Sequence, residues 1–153
     1  MRLISPPRLL LLASCCMALV LLPACAASPA QRARQAVVYG PKIKLIVVDP
    51  DNWQIANGQL APVFKITIAN LGPRTINHLQ ITAQLKGGLV YQDTQVLTPL
   101  VTNKYHTIPP KGGYLQFDIP FTPKALSAVE EQTLLKTAPE SSVTITEIDF
   151  TAF

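Results

Sequence analysis

The stretch FKITIANLGPRTINHLQITAQLKGG, residues 64–88, decides the fold. Apolar and polar side chains alternate in residues 64–68 and again in residues 79–85. A period of two places successive side chains on opposite faces of a strand, so each run buries one face and leaves the other in water. The Asn-Leu-Gly-Pro sequence at 70–73 has the residue types of a tight turn. These residues therefore predict two strands of the kind found in antiparallel sheets, with a turn between them.

The same alternation, broken by turn residues, continues through most of the chain from Pro41 onward. Seven strands are predicted near residues 42–48, 62–70, 78–86, 89–92, 95–101, 113–121 and 142–152. Seven short strands separated by turns are typical of a β-sandwich. In the last strand Val143 and Ile145 are out of phase with Ile148 and Phe150. A β-bulge near Thr146-Glu147 is expected, because one extra residue restores the inward set.

One short helix is predicted before the last strand, within residues 123–137. Thr122-Pro123 offers a capping residue followed by a first-turn proline, and Ser127-Ala128-Val129-Glu130 is a capping-box pattern one turn later. Only one of the two sites is the true start. The side chains expected to face the sheet are Leu126, Val129, Thr133 and Leu134.

Residues 62–121 resemble a known class of module. Their order of strand, Asn plus Gly/Pro turn, alternating strand and Pro-Gly turn is similar to immunoglobulin- and fibronectin-III-like modules of bacterial surface proteins. In variants with an F-x-L-Y-D signature, a Leu-Tyr-Asp would stand where this chain has Leu85-Lys86-Gly87, so that signature is not met. The resemblance implies an all-β, immunoglobulin-like antiparallel sandwich and implies no activity.

The first 24 residues are typical of a secretory signal. Arg2 and Arg8 precede an uncharged apolar run from Leu9 to Leu22, which is followed by small residues. The run has 14 residues, whereas a membrane-spanning helix needs about 20. Export to the cell envelope and removal of residues 1–24 are therefore predicted.

Two cleavage sites are compatible with this segment. Ala24-Cys25-Ala26 fits an ordinary signal peptidase, which would release a plain periplasmic protein. Leu22-Pro23-Ala24-Cys25 resembles a bacterial lipobox, although Pro23 departs from the usual small or β-branched residue. Cys15 and Cys16 lie in the predicted signal, so Cys25 is the one thiol of the mature chain and has no partner for an internal disulfide.

The lipobox resemblance implies a lipid on Cys25, with acyl chains such as palmitate, and a protein held at a membrane. Ala26 is not the aspartate associated with inner-membrane retention. The resemblance thus implies the periplasmic face of the outer membrane, and the alternative location is the periplasm.

The mature chain is predicted to have one domain at residues 37–153 behind a tether. Residues 25–36, the lipidated cysteine and a small, polar and basic segment, are expected to form a solvated linker. Removing the signal takes away two of the 13 basic residues and none of the nine acids, so the formal net charge falls from +4 to +2. A nearly neutral chain gives no reason to expect nucleic-acid binding.

No catalytic, metal-binding or cofactor-binding pattern is found. His78 and His106 lack the spacing to cysteines or acids that metal ligation needs, and both are predicted to be surface residues. No nucleophile elbow or phosphate-binding glycine loop is present. The sequence therefore predicts no enzyme, no cofactor and no small-molecule substrate.

The candidate contact residues are aromatic. Trp53, Tyr91, Tyr105 and Tyr114 are expected near loops or on outward strand positions, and exposed Tyr and Trp are common anchors of protein and glycan contacts. The favoured interpretation is a non-catalytic, lipid-anchored binding or scaffold protein for another envelope protein of a secretion, pilus or cell-wall assembly. The alternative is a periplasmic glycan-binding module or enzyme that uses an aromatic rim.

Overall fold

The computed structural model describes residues 27–48, 52–102 and 106–151. The predicted signal segment, Cys25, residues 49–51 and Tyr105 lie outside the described residues. Within them the protein is mostly β, with antiparallel sheets and short helices.

The elements follow in chain order. The strands are β1 Ile43–Val48, β2 Ile55–Ala56, β3 Gln59–Leu60, β4 Val63–Asn70, β5 Ile76–Gly87, β6 Tyr91–Leu97, β7 Gly113–Pro120, β8 Lys124–Ala125 and β9 Glu140–Phe150. The α-helices are α1 Pro29–Tyr39, α2 Pro99–Thr102 and α3 Ala128–Leu134, and a 3₁₀ turn, Gly40–Lys42, follows α1. No helix among these is long and apolar enough to cross a membrane.

The described strands form three antiparallel sheets of three strands each. The two large sheets have the orders β1-β4-β7 and β6-β5-β9, and the small sheet has the order β2-β3-β8. Their inward side chains belong to one hydrophobic cluster, because alternate residues of each strand point to the same side. The predicted alternation is confirmed: Phe64, Ile66, Ile68, Leu79, Ile81, Ala83, Leu85, Leu115, Phe117, Ile119 and Phe121 are buried.

The predicted bulge in the last strand is also confirmed. Gln80 pairs with Glu147 and Ile81 pairs with Ile145, which leaves Thr146 as the extra residue of β9. The bulge brings both apolar pairs of this strand to the inner side, so that Ile148 and Phe150 are buried while Val143 and Ile145 pack against the core.

The helix before the last strand begins at the second of its two predicted starts. Ser127 Oγ accepts a hydrogen bond from the Glu130 backbone N–H at 3.3 Å, and the Glu130 carboxylate accepts one from the Ser127 N–H at 2.8 Å. These two reciprocal hydrogen bonds satisfy backbone N–H groups that have no acceptor within the helix. The expected sheet-facing set is wrong in part, since Leu134 is buried whereas Val129 and Thr133 are exposed.

Two predicted strands are corrected to one. Residues 89–92 and 95–101 were expected as separate strands, but β6 runs without a break from Tyr91 to Leu97, and residues 99–102 form α2. Pro99 explains the change at the end, because its fixed φ suits the first turn of a helix. The β2–β3 hairpin was not predicted, although its turn is Asn57-Gly58 with φ of 52° and 70°. Asn-Gly with positive φ at both positions is a strong hairpin signal.

The expected solvated linker is wrong for residues 29–36, which belong to α1. Ser28 Oγ caps the helix by accepting a hydrogen bond from the Gln31 N–H, and Pro29 stands at its first position. The helix packs against β9 and buries Ala36 and Tyr39. The small residues that suggested a linker allow a close helix-to-strand contact, and this contact supplies stability that so short a helix lacks alone.

Candidate functional site

Two of the predicted contact residues, Trp53 and Tyr91, meet at one end of the protein. Their rings make an edge-to-face contact with centroids 6.1 Å apart. The Trp53 indole N–H donates to the carbonyl oxygen of Thr137 at 2.7 Å, and the Tyr91 hydroxyl donates to that of Thr122, also at 2.7 Å. We call this region the aromatic end; it comprises Trp53, Tyr91, Thr122 and Thr137 and the polar residues Asp93, Lys124 and Glu130.

The expectation that Tyr91 is an outward contact residue is corrected. Only 5 % of Tyr91 is exposed, because its ring packs in the core and its hydroxyl reaches a backbone oxygen. Burial raises the pKa of Tyr91 to about 12, and the charge of nearby Asp93 adds to the rise. The phenol is therefore a neutral structural donor at physiological pH.

Asp93 ties β6 to the segment after β7. Its carboxylate accepts hydrogen bonds from the backbone N–H of Thr122 at 2.7 Å and from the Gln95 amide at 2.8 Å. Burial raises the pKa of Asp93, but the hydrogen bonds from Thr122, Gln95 and Thr94 outweigh it and hold the pKa below its usual value. The carboxylate is thus fixed in its charged form as a connector.

Lys124 adds a further connection at the same end. Its ammonium donates to the Val90 carbonyl oxygen at 2.6 Å and forms an ion pair with Glu130 at 2.9 Å. Hydrogen bonds from Ser127 and Lys124 lower the pKa of Glu130 to about 2. The polar groups of the aromatic end join β6, the segment after β7 and α3. These hydrogen bonds and the ion pair are structural, and the rings of Trp53 and Tyr91 do not form an exposed aromatic binding surface.

Tyr114 has the opposite surroundings. It lies on β7 with 68 % of its surface exposed, and it pairs in register with Ala69 of β4. Ala69 in turn pairs with Lys44 of β1, so the three residues form one row across the sheet. Their side chains lie on the solvent side of the sheet, which we call the outer face.

The outer face carries apolar side chains at its β1 edge. Ile46 and Val48 are exposed there, Lys65 and Asp118 lie in one row with Val48, and Val63 is exposed at the start of the neighbouring strand β4. Among the described strands, β1 is paired on one side only, since the order is β1-β4-β7. A strand edge with outward apolar side chains can accept an added strand or a flat protein surface.

Sequence reasoning missed Ile46 and Val48 as candidate contact residues. The signal was present in Leu45-Ile46-Val47-Val48, four consecutive apolar residues in a strand that alternates elsewhere. Leu45 and Val47 pack against the core, so the other two must point outward.

The histidines occupy different surroundings. His106 is exposed. His78 is partly buried, with Nε2 3.2 Å from the Glu147 carboxylate, and Arg32 of α1 forms an ion pair with the same carboxylate at 3.2 Å. The cluster links α1 to β5 and β9. In the described ranges no group of three or more His, Cys, Asp or Glu side chains is placed to hold a metal ion.

Comparisons with known proteins returned little. No protein-family model matches the chain, and none of the curated proteins matches it. Among solved structures, the chain is similar to the crystal structure of Northeast Structural Genomics Consortium target SoR45, at 16 % identity and a TM-score of 0.42. That match covers 74 % of this chain and 88 % of the other.

Proposed function

We propose that this protein is a non-catalytic, lipid-anchored envelope protein that holds another envelope protein against the outer face of its β1-β4-β7 sheet. The observation that carries the proposal is the contrast among its aromatic residues. Trp53 and Tyr91 are bonded into the fold, whereas Tyr114 stands exposed on a sheet face with Ile46 and Val48. Exposed aromatic and apolar residues on a flat strand surface favour a protein partner.

The proposed fold is an immunoglobulin-like antiparallel sandwich of about seven strands. The six long strands in chain order are β1, β4, β5, β6, β7 and β9. If they are equated with A, B, C, C′, E and F, the two large sheets have the orders A-B-E and C′-C-F. These are neighbours in the two sheets of immunoglobulin domains. One hydrophobic cluster shared by both sheets supports the same assignment.

The proposed anchor is a lipid on Cys25, at the periplasmic face of the outer membrane. Support comes from the apolar segment that ends in Leu22-Pro23-Ala24-Cys25 and from the single mature thiol. Cys25→Ser should move the protein from the membrane to the soluble fraction, and mass spectrometry should find acyl chains on Cys25 of the wild type. An unmodified N-terminus at Ala27 would refute the anchor and favour a periplasmic protein.

The proposed binding face is tested on the tagged full chain, solubilised from membranes in mild detergent. Tyr114→Ala and Ile46→Asp should each lower the yield of one co-purifying envelope protein. The first removes the exposed aromatic ring of the outer face, and the second places a charge beside the exposed apolar side chain of Val48. Val129→Asp is the matched control, since Val129 is an exposed apolar residue on α3. Equal recovery from the three variants would contradict the outer face as the binding surface.

The glycan-binding or enzymatic alternative needs an open aromatic rim. Of the four candidate aromatic residues, Trp53 and Tyr91 donate hydrogen bonds to backbone oxygens of the fold. The protein-binding proposal is therefore favoured by the described geometry.

A further inference from the structure

A second surface is formed by the outward side of α1 and the residues beside it. Val37 is 81 % exposed and Val38 is 78 % exposed, although Ala36 and Tyr39 of the same helix are buried. Ala30, Ala33 and Arg34 are exposed on the same side. Helix periodicity explains the grouping, because residues three or four apart share a face.

The apolar surface continues past the end of the helix. Leu71 is exposed, and its backbone N–H donates to the Lys42 carbonyl oxygen at 2.9 Å, which places it next to the 3₁₀ turn. A shallow depression of about 290 Å³ lies on the other side of Val38, between α1 and the ring of Phe150. We call Ala30, Arg34, Val37, Val38 and Leu71 the α1 face.

The exposed charged residues of α1 and the 3₁₀ turn are positive. α1 contains no acidic residue, and Arg34 and Lys42 are exposed. Arg32 is not available, since it is paired with Glu147. The Arg74 guanidinium lies 4.0 Å from the Phe150 ring centroid beside the depression. Exposed valines flanked by cations suit the head-group region of a bilayer with anionic lipids.

The position of α1 in the chain limits where it can lie. Pro29, the first residue of the helix, lies four positions after Cys25, with three residues between them. At about 3.5 Å per residue, α1 begins no more than about 14 Å from Cys25. If Cys25 carries a membrane-embedded lipid, the helix is held at the membrane surface. A weak contact then suffices, because the anchor makes it intramolecular.

We infer that α1 lies on the membrane with Val37 and Val38 among the lipid head groups, and that this contact orients the domain. The inference rests on the proposed lipid anchor. The occupant of the α1 face is the lipid surface itself. The contact keeps both ends of α1 close to the bilayer and so fixes how the sheets are turned relative to it.

The test uses the full lipidated chain with one added cysteine, because the acylated Cys25 does not react with thiol labels. Val38→Cys is labelled with an environment-sensitive fluorophore, and Val129→Cys is the matched control, a valine on α3 that is 77 % exposed. Both proteins are inserted into vesicles of phosphatidylethanolamine and phosphatidylglycerol that contain a lipid quencher. We expect on the order of twofold stronger quenching at position 38, and a smaller effect after Arg34→Glu.

Flotation of the vesicles separates the two proposals. If the wild-type chain floats but labels at 38 and 129 are quenched equally, the α1 inference is overturned and the anchor stands. If the wild type does not float with the vesicles, both are overturned. Weak quenching at position 38 that becomes stronger when the protein is diluted over more lipid would show that a second copy of the chain covers the α1 face. That result would also overturn the inference.

Discussion

The aromatic end and the outer face contain the same kinds of residue with opposite surroundings. At the aromatic end, Tyr91 is buried and donates to a backbone oxygen, and Asp93 accepts several hydrogen bonds. On the outer face, Tyr114 is exposed on β7, in one row with Ala69 and Lys44. The difference shows that an aromatic residue near a loop is a contact candidate only when its polar atom is not hydrogen-bonded to a backbone group inside the fold.

The largest expected difference between the two regions is in stability. Trp53→Ala should lower the free energy of unfolding by about 3 kcal/mol, because it removes a packed ring and leaves a cavity. Tyr114→Ala should change it by less than about 0.5 kcal/mol, since the ring is exposed. Urea unfolding of both variants measures this, and equal losses would mean that the two regions are not distinct.

Gly87 gives a second, smaller test of packing at the aromatic end. A Cβ at this position would lie 2.5 Å from the Trp53 ring and 2.6 Å from a Leu134 methyl group. Gly87→Ala should therefore cost about 1–3 kcal/mol through overpacking. Its control is Gly40→Ala, where a Cβ meets no atom within 4 Å. Thermal unfolding that ranks Gly40→Ala as the more damaging change would contradict the described packing.

The smallest expected effect depends on pH. Tyr91→Phe should cost about 1 kcal/mol near neutral pH through the lost hydrogen bond to Thr122. The raised pKa also means that the folded state favours the neutral phenol. The stabilisation of the folded state by the neutral Tyr91 phenol is complete below pH 10 and is lost as the pH rises to about 12.

The wild type should therefore lose more stability than Tyr91→Phe between these two pH values. Tyr114→Phe serves as the control and should behave as the wild type does. If the wild type and Tyr91→Phe have parallel alkaline profiles, Tyr91 is not the buried donor described.

The strands were predictable because burial imposes a period of two on local sequence. Residues 64–68 and 79–85 and the bulge at Thr146 are set by neighbours along the chain, so the pattern alone identified them. α1 was missed because its stability comes from packing on β9 and from the Arg32–Glu147 ion pair, which joins residues far apart in sequence.

The candidate site was predictable in residue type but not in role. Tyr91 and Tyr114 both looked like surface aromatics, but Tyr91 is buried and bonded to the Thr122 carbonyl oxygen whereas Tyr114 is exposed. Ile46 and Val48 were missed because they lie in a run of four apolar residues, in which no polar residue marks the outward positions. Tyr105 stays a prediction, since it lies outside the described residues.

The central claim is that the outer face binds a partner at the membrane, and site-specific photocrosslinking in intact cells tests it most directly. A photoreactive phenylalanine analogue replaces Tyr114 in one strain and the exposed Val129 of α3 in another. We predict one discrete crosslinked protein from position 114, weakened by Ile46→Asp and by Cys25→Ser, and none from position 129. No adduct from position 114, or the same adduct from both positions, would contradict the claim.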